Sequence, residues 1–198
     1  MRLHCCLFLL LIVSLLTAGG CDRLSVKESL SGFEVELINQ QGETVHFPKS
    51  FRGETILVGF IYTHCPDICP LTTLNMKEVA QQIDDQDAHF IGISMDPVRD
   101  TPEVLSDYAR NYGLNPSRWS LLTGEREEVR KLLERLDVIA RRTPMRVTDS
   151  GRQVYFIDHS DKVSLLDGSG NIRQNYPGSE LQGDDVLADM ERLLARDL

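Results

Sequence analysis

The sequence predicts an α/β sandwich, and three observations carry that reading. Residues 55–62 and 88–95 are nearly continuous apolar runs, as expected of strands buried on both faces. Between them Leu71, Leu74, Val79 and Ile83 recur near helical spacing. The order strand–helix–strand–helix then gives way to a hairpin and a closing helix.

Each element has its own local reason. Phe33 to Leu37 alternates with period two, Gly42 makes a turn, and residues 44–47 return as an N-terminal β-hairpin extension. Residues 55–62 form the first central strand, and the segment from His64 to Pro70 follows it directly. Thr101-Pro102-Glu103 is a helix start with Thr as N-cap and Pro at the first helical position, and that helix should end near Gly113. Trp119 to Leu122 is a short strand. Val129, Leu132, Leu133 and Leu136 mark the next helix. Residues 137–152 are Arg-rich and break the pattern, which predicts a surface insertion. Strands are expected at 154–157, 162–166 and 172–174, the last two joined through a Gly-rich turn, and a final helix over about 184–195. The sum is an α/β fold of thioredoxin-like type.

The N-terminus differs from the rest. Arg2 precedes an apolar run from Cys5 to Leu16, and Thr17-Ala18-Gly19-Gly20 lead into Cys21, which is the layout of a secretory signal. The run is well short of the ~20 residues that span a bilayer core. Ala18-Gly19-Gly20-Cys21 resembles a bacterial lipoprotein cleavage box, in which the cysteine is lipidated. An uncleaved anchor and plain secretion are the alternatives. The expected organisation is a signal over 1–20, a tether over 21–32 and one domain over 33–198, on the periplasmic face of a bacterial inner membrane.

Losing residues 1–20 removes one Arg, so 20 basic side chains face 30 acidic ones and the net charge is −10. That argues against nucleic acid, whose binding needs a basic face. It also disfavours adsorption to anionic lipid, which leaves the N-terminus as the membrane link.

The same cut removes Cys5 and Cys6. If Cys21 carries lipid, Cys65 and Cys69 are the two remaining thiols, too few for a disulfide framework. They sit where a central strand ends and a helix begins, with Pro70 suited to the first helical position. The positive end of the helix dipole favours thiolate, the form that attacks disulfides and binds soft metals. Three residues lie between the cysteines, where thioredoxins have two, which leaves room for one metal ion between the sulfurs. Soft sulfur selects Cu(I), and an added imidazole makes Cu(II) acceptable. Zinc accepts two thiolates as well, but a structural zinc site wants a fourth ligand.

Five histidines compete to complete the site. His4 leaves with the signal, His46 lies in the expected hairpin, and His89 opens a strand far from the cysteines. His64 neighbours Cys65, but adjacent residues on an extended segment point to opposite sides. His159 remains, just before a strand; a lone His at such a boundary is usually a satisfied polar residue, so spacing alone leaves its role open.

Three segments together resemble the SCO/SenC family. They are residues 59–70 around Cys65-Pro66-Asp67-Ile68-Cys69-Pro70, residues 93–102 around Asp96-Pro97-Val98-Arg99-Asp100, and residues 154–160 around Asp158-His159. The resemblance implies a copper chaperone that assembles the dinuclear copper centre of cytochrome c oxidase, sometimes reducing that centre's cysteines. It implies Cys65 and Cys69 as thiolate ligands and redox pair, with a possible disulfide, and His159 as third ligand. It also matches Asp67, Asp158, Asp96 and Asp100 to acidic positions of the family. Implied partners are the copper-centre subunit, a periplasmic copper donor and a thiol reductant. The competing readings are a periplasmic thiol-disulfide oxidoreductase or peroxidase, for which Thr63 and Arg99 are the candidate cysteine environment, and a copper-responsive redox sensor.

Overall fold

A computed structural model describes residues 24–83, 88–151 and 153–194. Its centre is three parallel strands, β4 (Thr55–Ile61), β5 (Ala88–Ser94) and β6 (Trp119–Thr123). The hairpin β2 (Val35–Asn39) and β3 (Thr44–Phe47) extends the sheet beyond β6. β11 (Val163–Leu166) and β12 (Asn171–Tyr176) extend it beyond β4, and β1 (Glu28–Ser29) pairs on the outer edge. All seven residues of β4 are buried, which explains its uninterrupted apolar sequence.

Helix α1 (Ile68–Gln82) packs on β4 beside the closing helix α4 (Gly183–Leu194), α2 (Pro102–Tyr112) packs on β6, and α3 (Arg126–Arg135) packs on β2. Gly59 lets α1 approach β4 closely, because a Cβ there would lie 2.6 Å from the Met76 sulfur. The expected start and stop of α2 are both present. Thr101 Oγ1 accepts from Val104 N, and Gly113 closes the helix at φ 60° in the left-handed region.

One expectation needs revision and another gains detail. Residues 28–29, expected within the tether, pair with β12, and Leu30 beside them is buried against the core. The folded domain therefore includes residues before Phe33. The Arg-rich stretch lies at the surface as expected, and it is built into two antiparallel ribbons. β7 (Ala140–Arg142) pairs with β10 (Ile157–His159), and β8 (Arg146–Val147) pairs with β9 (Gln153–Val154). The strand expected at 154–157 is divided between β9 and β10 with a break at 155–156, while β7 and β8 are too short and too polar to show a hydrophobic period.

Candidate metal centre

Cys65 lies in the turn after β4, Cys69 in the first turn of α1, and His159 at the end of β10. The helix begins earlier than expected from Pro70 as its first residue. Asp67 is the N-cap, so Cys69 is the second helical residue and Pro70 the third. Proline is tolerated there because the first-turn amides have no partner within the helix.

The fold gathers one group of three metal-ligating side chains among the described residues, with donor atoms within 4.8 Å of one another: Cys65, Cys69 and His159. His159 Nε2 lies 3.8 Å from Cys65 Sγ and 3.5 Å from Cys69 Sγ. An ion bonded to sulfur at ~2.3 Å and to nitrogen at ~2.0 Å sets an S···N edge of roughly 3.5–3.7 Å for tetrahedral or trigonal angles. The two S···N distances, 3.8 and 3.5 Å, lie within about 0.1 Å of that range. The donor set, two sulfurs and one imidazole, suits copper.

The imidazole is oriented for this task. Its Nδ1 lies 2.8 Å from the Ser160 carbonyl oxygen, which can only accept, so Nδ1 donates there and Nε2 is the nitrogen turned toward the sulfurs. Ser160 is itself fixed, since its amide donates to Ile139 O and its hydroxyl accepts from Ile139 N. The Tyr62 ring meets the imidazole edge-on at 5.6 Å.

The two thiols are unequal. Cys69 is fully buried, whereas Cys65 is half-buried at a cleft of about 350 Å³ shared with Tyr62, Phe156 and His159. Burial pushes the Cys65 thiol up, but hydrogen bonds from His159, the Cys69 and Asp67 amides and the Cys69 thiol outweigh it and bring the pKa to about 7. Burial, reinforced by the neighbouring Cys65 charge, pushes Cys69 far above the ordinary thiol range. The expectation that the helix start lowers both pKa values thus fails for Cys69, because desolvation exceeds the dipole effect. Tyr62, pushed up to about 12 chiefly by burial, stays protonated beside them.

The acidic residues divide. Asp67 and Asp158 are exposed at the cleft. Asp100 is fully buried and accepts from the Thr63 amide, the Thr63 hydroxyl and the Ser94 hydroxyl, tying the cysteine turn to the end of β5. Asp96, also buried, accepts from Arg99 Nε and from the Tyr155 hydroxyl. Arg99 adds a bond to the Tyr155 carbonyl at 3.1 Å and stacks over the Tyr155 ring at 3.7 Å. Thr63 and Arg99, the candidate peroxidase environment, are thus engaged in these two clusters. Tyr155 is the residue that sequence reasoning missed. Its place two positions before Ile157 in the His159 segment was the available signal.

The other imidazoles lie apart. His64 is exposed with Nδ1 3.0 Å from Thr63 Oγ1, His46 pairs with Glu34, and His89 bonds Ser120. His4 and Cys21 fall outside the described residues. No described helix is long and apolar enough to cross a membrane.

A family model described as SCO1/SenC matches residues 26–195, which span all three donors. The chain belongs to the SCO1/SenC family. The SCO2-like protein of Rickettsia prowazekii is 33% identical over 147 residues, covering 73% of this chain and 68% of that protein. Bradyrhizobium japonicum ScoI, solved with copper bound, superposes with a TM-score of 0.69 at 30% identity, over 81% of this chain and 97% of that one. BsSco, described as a member of the Sco family of cytochrome c oxidase assembly proteins with a disulfide switch, superposes with a TM-score of 0.67 at 28% identity, over 82% and 92%. These SCO structures share the thioredoxin-like fold seen here.

Proposed function

We propose that this SCO1/SenC protein takes up one copper ion on Cys65, Cys69 and His159 and passes it by ligand exchange to the dinuclear copper centre of cytochrome c oxidase. The grouping of two sulfurs and Nε2 within 4.8 Å, with both S···N distances near those of a single bound ion, carries the reading. The copper in the ScoI structure and the assembly role ascribed to BsSco support it. His159 and Cys65 reach the cleft while Cys69 is buried, so an incoming ligand displaces the first two and Cys69 releases the ion last. The working location is the periplasmic face of a bacterial inner membrane, with lipid on Cys21 as tether. A periplasmic copper donor loads the site.

The inequality of the thiols favours a second activity at the same place. The Cys65 thiolate attacks a disulfide sulfur of the target and forms a mixed disulfide. Cys69 then loses its proton and attacks Cys65, releasing the target as a dithiol and leaving a Cys65–Cys69 disulfide. Two electrons pass to the target, and a thiol reductant restores the pair.

Deleting the gene and measuring oxidase activity across a copper series separates the two. Delivery is a mass-action role, so abundant copper should restore activity, as should wild-type protein but not Cys65→Ser. Restoration only by an added small thiol would assign the reductase role. Unchanged oxidase activity at every copper level would overturn both and leave the redox-sensor reading.

A further inference from the structure

The face beside the metal cleft is unlike the rest of the molecule. Residues 138–148 hold three Arg and no acidic residue in a chain of net charge −9, with Asp149 next in sequence and Asp158 across the register from Arg141. Arg141 and Arg146 are exposed, and neither has a carboxylate partner among the described residues. Large apolar side chains stand exposed among them, with Met145 at 55% and Val147 at 68%. Beside β7 an apolar groove of about 510 Å³ runs between Pro97, Val129, Leu133, Ile139 and Arg141. Isolated exposed apolar residues are ordinary, but two large ones at one ribbon, a groove beside the other and an unpaired Arg on each mark a contact surface.

The surface is continuous with the site. Register pairs Ala140 with His159 and Arg142 with Ile157, and Thr143 exchanges hydrogen bonds with Phe156, which lines the metal cleft. Whatever covers the ribbons therefore also covers the mouth through which the ion leaves.

We propose that the ribbons β7–β10 and β8–β9 are the docking surface for an acidic protein partner whose metal-accepting side chains then face Cys65 and His159. The inference rests on the delivery reading above and names the chemistry of the recipient: carboxylates opposite Arg141 and Arg146, and an apolar side chain in the groove by Ile139. An anionic bilayer also attracts Arg, but a bilayer on this face would seal the cleft from any recipient. Opposite charges on the two faces raise the encounter rate in a salt-dependent way, while the apolar contacts set the lifetime of the complex.

The test uses the full copper-loaded chain, the soluble copper-centre domain of the oxidase subunit, and phosphatidylglycerol vesicles. Arg141→Gln with Arg146→Glu, where Gln avoids a like charge opposite Asp158, should slow copper transfer about tenfold at low salt and flatten its salt dependence. Met145→Ser with Val147→Ser should shorten the complex lifetime several-fold. Both variants should keep the wild-type copper spectrum and affinity, which separates docking from ligation. Equal transfer by all three proteins would overturn the ribbon surface and leave the delivery reading standing. Loss of vesicle binding with unchanged transfer would assign the ribbons to the membrane and overturn the proposal. Wild-type protein that holds copper but neither docks nor transfers would overturn the delivery reading and this surface's recipient with it.

Discussion

The Tyr155 hydroxyl donates to the buried Asp96 carboxylate at 2.9 Å, and that bond joins the segment carrying His159 to the segment that follows β5. Arg99, bonded to Asp96 and stacked on the Tyr155 ring, closes the clamp. Tyr155→Phe keeps the stacking and removes the hydroxyl. A hydrogen bond to a buried charge contributes about 2 kcal/mol, so the variant should lose roughly that in urea unfolding. Copper affinity should fall several-fold because His159 is less well held. Wild-type stability with wild-type affinity would show that Arg99 alone holds the segment.

Removing a donor should matter far more than loosening its support. Cys65→Ala, Cys69→Ala and His159→Ala should each weaken Cu(II) binding by at least about a hundredfold, since supporting residues typically cost 10–100-fold and a ligand costs more. His64→Ala should change it less than about threefold, because that imidazole bonds Thr63 and lies outside the donor group. Titration with a competing chelator gives all four affinities. A strong effect at His64 would move the imidazole ligand to the wrong side of the turn.

Acid should weaken the fold through His89. Burial, with the Arg118 charge adding, brings its pKa down to about 4, although the partly exposed Glu54 carboxylate 3.5 Å away opposes this. Below an unfolded value of ~6.5 the unfolded chain takes up a proton that the native state refuses. Stability should therefore fall by about 2 kcal/mol as pH drops from 6.5 to 4, with no such effect above 6.5. His89→Gln should flatten that part of the profile. An unchanged profile would place the acid sensitivity elsewhere.

How much of this was legible in the sequence depends on the kind of residue. The central strands announce themselves because burial on both faces demands apolar runs, and α2 does so through Thr101 and Gly113. The two cysteines stand out by position. His159 does not, because what aims it is the Ser160 carbonyl and a pairing with Ala140, and backbone groups leave no trace in residue type. The ribbons of residues 140–154 were hidden for a related reason, since two- and three-residue strands have no period to read. The depth of Cys69 was hidden too. Helix-start position argues for exposure, and only the packing of α1 on β4 buries it.

Membrane attachment should depend on Cys21. Cys21→Ser should either block maturation or yield a soluble product, because the apolar run before it is shorter than the ~20 residues of a membrane span. Fractionation of cells expressing wild type and variant provides the check. A Cys21→Ser protein of mature size that stays with the membrane would require a different anchor.

The thiols should titrate apart in the metal-free protein. Cys65, with its pKa near 7 and its edge on the cleft, should react with iodoacetamide along a curve that rises through pH 7. Cys69, buried and far less acidic, should stay unmodified until the fold opens. The His159 hydrogen bond leads the effects that lower the Cys65 pKa, so His159→Ala should shift that curve to higher pH, toward 9.0. Bound copper should protect both sulfurs, and mild oxidation of the apo protein should join them in a disulfide that a thiol reverses. Cys65 and Cys69 share the tryptic peptide 53–77, so fragmentation of that peptide in the mass spectrometer, after timed alkylation at stepped pH, reads each cysteine separately. Equal rates for the two thiols would mean that Cys69 is not sealed, and the order of ligand release from the site, with Cys69 last, would then lose its basis.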